Sequence, residues 1–140
     1  MSMNWRNQLD LLVDWARNKN YHVEFVKNGD DSVCNISKII EINSALPIQT
    51  QVIRLLHECG HVLIFENGSS FNFESKRHFN ENSSSYKVFT LIEEVEAWKR
   101  GRELSSRMKI EVEEDVWEKA MVRALKKYID WASSGEKDEN

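Results

Sequence analysis

Two histidines four residues apart, with a glutamate directly after the first, give the chain its strongest chemical signal: His57-Glu58-Cys59-Gly60-His61. On a helix, positions four apart share a face, so both imidazoles can reach one metal ion. Glu58 sits about 100° round from His57, where its carboxylate can reach a metal-bound water without being a ligand. Neutral imidazole suits zinc, and zinc lowers the pKa of a bound water to roughly 7. The competing reading is a chance match on an ordinary core helix. Against it, both histidines interrupt an otherwise apolar run between Gln51 and Ile64. Cys59 is two residues from each histidine and projects to the other side of the helix, so it reads as a small buried apolar residue and not as a ligand.

A catalytic zinc site needs three protein ligands and one open position. The metzincin continuation would require a glycine and a third histidine where this chain has Ile64 and Asn67, so that class is excluded. His78 is one further candidate ligand. The other source is Leu91-Ile92-Glu93-Glu94-Val95-Glu96-Ala97-Trp98, which offers three carboxylates. At about 100° per residue, Leu91, Val95, Trp98, Leu104 and Met108 spread over one half of a helix. Glu94 falls within that half, while Glu93 and Glu96 fall on or near the polar side. A carboxylate on a buried face needs a partner, because burying it unpaired is costly. That partner is either a zinc ion held by His57 and His61 or the guanidinium of Arg54.

A His-Glu-x-Gly-His helix followed by a Glu-x-x-Ala helix resembles the ImmA/IrrE-type zinc metallopeptidases of the gluzincin group. The resemblance runs roughly from Lys38 to Gly101 and puts the family's third ligand on Glu94, with Ala97 matching its alanine. Trp98-Lys99-Arg100-Gly101 replaces the family's Asn-x-Phe-Ala, and the chain shows no helix-turn-helix of the kind some members carry. The resemblance implies a zincin-like domain like those of small phage or mobile-element proteins.

These residues need elements to hold them. Trp5, Leu9, Leu12, Val13 and Ala16 recur at helical spacing and predict an amphipathic opening helix. Tyr21–Val26 alternates as a strand does, Asn28-Gly29 is a two-residue turn signal, and Ser32–Ile36 reads as the returning strand of a hairpin. Lys38–Ile42 is a third strand, the expected edge for an extended peptide, with Ile40 and Ile42 as substrate-binding residues. The motif helix should start at Pro47 and run to about Phe65. Gly60 inside it predicts the close approach of a neighbouring element. Residues 67–86 read as a surface loop or, with Phe71, Phe73 and Phe79, as a lid. Helices follow over Val88–Met108 and Val116–Ala132, the latter with a long apolar stripe. The expected class is α+β: a small, mostly antiparallel sheet of about three strands packed on about four helices, one domain over 1–133, and a disordered acidic tail over 134–140.

The 140 residues are 41% hydrophobic and 30% charged, an ordinary globular balance. A net charge of −4 gives no footprint for nucleic acid. Two cysteines make no disulfide framework, Met1–Arg6 has no signal-peptide core, and no apolar run approaches a membrane span, so the expected compartment is the cytoplasm. The expected function is zinc-dependent hydrolysis of a protein or peptide substrate, with one zinc per chain on His57, His61 and Glu94 and with Glu58 assisting attack by the zinc-bound water. Tyr86 and His78 are the candidates for stabilising the oxyanion. The alternative is a non-catalytic, zinc-stabilised interaction module, an inhibitor or adaptor.

Overall fold

A computed structural model describes residues 4–67 and 80–134 of the chain. Helix α1 (Trp5–Asn18) starts where the Asn4 side chain accepts a hydrogen bond from the Asn7 N–H at 2.8 Å, satisfying one of the first turn's orphan donors. Its Leu9, Leu12 and Ala16 face is buried, as the spacing predicts. Strands β1 (His22–Val26), β2 (Ser32–Cys34) and β3 (Ile39–Asn43) follow, then helices α2 (Ile48–Asn67), α3 (Ser84–Met108) and α4 (Glu114–Ser134). The α+β class with a small sheet on four helices is therefore the one adopted.

Strand pairing departs from the expected hairpin. The sheet order is β1-β3-β2, with β3 parallel to β1 over five residues and antiparallel to β2 over three. The sheet is thus mixed, where a mostly antiparallel one was expected. The Asn28-Gly29 turn does form, with Asn28 at φ 60° and the Gly29 N–H donating to the Val26 carbonyl at 2.9 Å. The chain then crosses the end of β3 before pairing. Asn43 fixes that crossing: its side-chain oxygen accepts from the Asn28 N–H, and its own N–H donates to Asp31. Burial explains the order. Ile40 and Ile42 are 0% exposed, whereas β1 leaves Phe25 and Val26 in solvent, so the most apolar strand takes the middle. Ile40 and Ile42 consequently cannot receive a peptide, because β3 is paired on both sides; the free edges belong to β1 and β2.

Helix α2 is the centre of the fold, buried along Val52–Ile64 on nearly every side except at Arg54 and packed by α1, α3 and β3. Its tightest neighbour is α3. A Cβ on Gly60 would stand 2.0 Å from the Ala97 carbonyl oxygen, and one on Gly101 would stand 2.6 Å from that of Leu56. Small residues at both crossings let the two backbones touch, which is the close approach that Gly60 predicts. Helix α3 begins at Ser84, four residues earlier than expected, because the Ser83 hydroxyl accepts from the Tyr86 N–H and caps the first turn. It ends at Lys109 in the left-handed region, φ 59°, and the Ile110 N–H turns back to the Ser105 carbonyl at 2.8 Å.

Residues 68–79, with His78, Phe71, Phe73 and Phe79, lie outside the described residues, as does the tail 135–140. Among the described residues no helix is long and apolar enough to cross a membrane.

Candidate metal centre

The approach of α2 and α3 at Gly60 and Ala97 brings Glu94, one turn before Ala97, over both motif histidines. The Nε2 of His57 stands 3.0 Å from one Glu94 carboxylate oxygen, and the Nε2 of His61 stands 2.9 Å from the other. All three residues are buried, and one donor atom from each lies within 4.8 Å of the others. This group can hold a metal ion. The rival partner for Glu94 is taken: Arg54 pairs with Asp31, at the crossing between β1 and β2.

Each imidazole is also held from its far side. The Nδ1 of His57 lies 3.1 Å from Glu58, and that of His61 lies 3.3 Å from Glu93. Glu93 is buried, contrary to its expected place near the polar side of α3. Leu91 and Val95 do not mark the buried face, since Val95 is 46% exposed and Leu91 only partly buried. The row Ala97, Gly101 and Ser105 marks the true face, because small residues sit where α2 presses closest. Measured from that row, Glu93 is roughly 80° away and Val95 roughly 120°. Trp98 completes the support, stacking on the His57 ring at 4.4 Å and 14° while its own edge meets Trp117.

Burial opposes a charge on either imidazole, but the carboxylates outweigh it. Glu58 and Glu94 raise the pKa of His57, and Glu93 and Glu94 raise that of His61 to about 10. Burial likewise opposes ionisation of Glu94, yet the two imidazoles hold its carboxyl well below the usual range. Three buried carboxylates around two imidazoles make a site that calls for positive charge, which a divalent ion between the Nε2 atoms and Glu94 would supply. The donor set therefore fits a metal. A carboxylate behind a metal-ligating histidine fixes its tautomer and orientation. Glu93→Ala, which leaves the His61 Nδ1 without its acceptor, is accordingly expected to weaken metal affinity roughly ten- to a hundredfold, as measured by competition with a chromophoric chelator.

His57 and Glu58 form part of the wall of a cavity of about 870 Å³. Its opposite side is α4, from which Val116, Ala120, Ala124 and Tyr128 face the cavity. The apolar stripe does pack on the core, with Val116, Ala120, Met121, Ala124 and Leu125 partly buried against it, but among the described residues of α4 only Trp117 is fully buried. Tyr86 also lines the cavity. So does Tyr128, which helical spacing places in the apolar stripe and not among the site candidates; burial and the nearby charges of Glu94 and Glu58 push its phenol well above the usual range. Cys59 is buried, and burial pushes its thiol up as well, in keeping with a core residue. No family model, curated protein or solved structure matches the chain.

Proposed function

We propose that the chain is a zinc metallopeptidase of the ImmA/IrrE type, with His57, His61 and Glu94 as the metal ligands and Glu58 as general base. The observation that carries this reading is the convergence of both Nε2 atoms on the Glu94 carboxylate, with Glu58 on the Nδ1 side of His57 and these two residues in the wall of an open cavity. Two imidazoles and one carboxylate are a donor set that zinc accepts with a fourth position left open. Zinc in that position would polarise a substrate carbonyl and make a water acidic near neutral pH.

The protein's own groups do the rest. Glu58 takes the proton of the attacking water on a carboxylate oxygen and returns it to the departing amine. Tyr128 keeps its proton in this acidic, buried setting and so remains a donor for the oxygen that gains negative charge. Tyr86, the candidate expected from the sequence, lines the same cavity from α3. With β3 closed on both sides, the free edge nearest the cavity is β2, which begins immediately after the cavity-lining Asp31 and can pair with an extended substrate. The thiols, Cys34 exposed and Cys59 buried, are both free and fit a reducing compartment such as the cytoplasm.

The test is metal removal and return. The purified chain should carry one zinc by elemental analysis and cleave a denatured protein such as reduced casein. A chelator should stop cleavage and lower the thermal midpoint, and added zinc should restore both. A metal-free chain whose midpoint ignores chelator overturns the reading.

A further inference from the structure

The cavity wall formed by α4 carries two parallel rows at four-residue spacing. One is Val116, Ala120, Ala124 and Tyr128; the other is Lys119, Arg123 and Lys127. Each step of four turns about 40° on a helix, so the three cations stay on one side. The alanines between them keep the wall low, leaving room for a chain to lie along it. All three cations are exposed and have no acidic partner among the described residues. The facing wall has the opposite sign through Asp30 and Glu58, while the charge of Asp31 is offset by Arg54.

A second observation lies on the floor. The Trp98 indole Nε1 and the Thr90 hydroxyl are buried side-chain groups of cavity-lining residues with no hydrogen-bond partner among the described residues. Trp98 is 1% exposed and stacked on His57, so this unmet donor stands next to the metal ligands. A buried donor without an acceptor costs free energy, and an oxygen-bearing ligand would remove that cost. Unpaired cations on one wall and unmet donors at the floor ask for the same occupant, one rich in negatively charged acceptors.

We infer that the cavity selects peptide segments bearing acidic side chains, with Lys119, Arg123 and Lys127 reading those side chains while the backbone runs past Glu58. The inference names the substrate class of the proposed peptidase and rests on that reading. Acidic residues of the substrate lie toward α4, and the carboxylates of the facing wall repel the opposite orientation. Charges at the rim of a site act mainly on encounter and on discrimination between partners.

The probes are two fluorescent dodecapeptides, acetylated and amidated so that no terminal carboxylate takes part. They are alike in every position except four, which are Glu in one and Lys in the other. Binding is read by anisotropy on the zinc-loaded Glu58→Gln variant, and cleavage is read on the wild type. The Glu peptide should bind about tenfold more tightly, with the preference shrinking as salt rises. The triple change Lys119→Glu, Arg123→Glu, Lys127→Glu should reverse the preference while leaving zinc content and thermal midpoint unchanged. Equal affinity, no binding of either peptide, or an acidic preference that survives the triple change overturns the inference. Cleavage of both peptides at the same rate also overturns it and leaves the peptidase standing. Binding of the Glu peptide that the triple change reverses, without any cleavage by the wild type, supports the inference and counts against the peptidase.

Discussion

Glu58→Gln is expected to lower hydrolysis of a denatured protein by on the order of a thousandfold while metal content and thermal midpoint stay at wild-type values. Glu58 is buried next to His57 and belongs to the cavity wall, but it is not in the group whose donor atoms converge. Removing its basicity therefore takes away the proton acceptor and leaves the ligands in place. Glutamine has the same shape, and its amide oxygen can still accept from the His57 Nδ1–H that now faces Glu58 at 3.1 Å. The variant thus separates chemistry from architecture. The two quantities to compare are the turnover of cleavage and the zinc bound per chain. If turnover survives with zinc in place, Glu58 is not the base and the peptidase reading falls. If cleavage and biological effect both vanish while zinc and fold persist, the non-catalytic interaction module falls instead.

The site was more legible in the sequence than the sheet was, and the reason is distance along the chain. His57 and His61 are placed by one helix, so spacing alone brings them together. Glu94 is on another helix, yet its burial follows from helical phase, because a carboxylate cannot sit on an apolar face without a partner. The burial of Glu93 does not follow from the phase of the large apolar residues, among which Val95 is exposed. In a helix pair packed backbone to backbone, the small ones mark the contact. Strand identity was legible for the same local reason, since β-branched runs at Ile39–Asn43 fit a pleated surface. Pairing order is non-local. The Asn28-Gly29 signal predicts a turn, and a turn is there, but where the chain goes next depends on Ile40 and Ile42 competing for the middle of the sheet. Tyr128 lies 34 residues beyond Glu94 in the numbering, on a helix whose apolar stripe gives no sign of which half faces a cavity.

Gly60→Ala should cost both stability and metal affinity, although alanine is the better helix former. In isolation the change favours the helix by about 1 kcal/mol. Here the added Cβ would lie 2.0 Å from the Ala97 carbonyl oxygen, 2.8 Å from its carbon and 3.1 Å from its Cα, so it meets backbone that no rotamer change can move. Overpacking a tight core costs about 1–3 kcal/mol, and a backbone clash belongs at or above the top of that range, so the net effect is destabilising by at least about 2 kcal/mol. Relief requires α3 to move away from α2, and Glu94, one turn from Ala97, moves with it. Ligand geometry has to hold to about 0.5 Å, so zinc affinity should fall by at least about tenfold. Gly101→Ala provides the comparison. Its Cβ would also meet backbone, 2.6 Å from the Leu56 carbonyl oxygen, but two turns from Glu94. That variant should lose thermal stability with a smaller loss of zinc affinity, both measured by melting the metal-free chain and by chelator competition. If the two variants lose zinc affinity equally, the approach at Gly60 and Ala97 does not position Glu94, and helix contact along the whole of α3 must be setting the site instead.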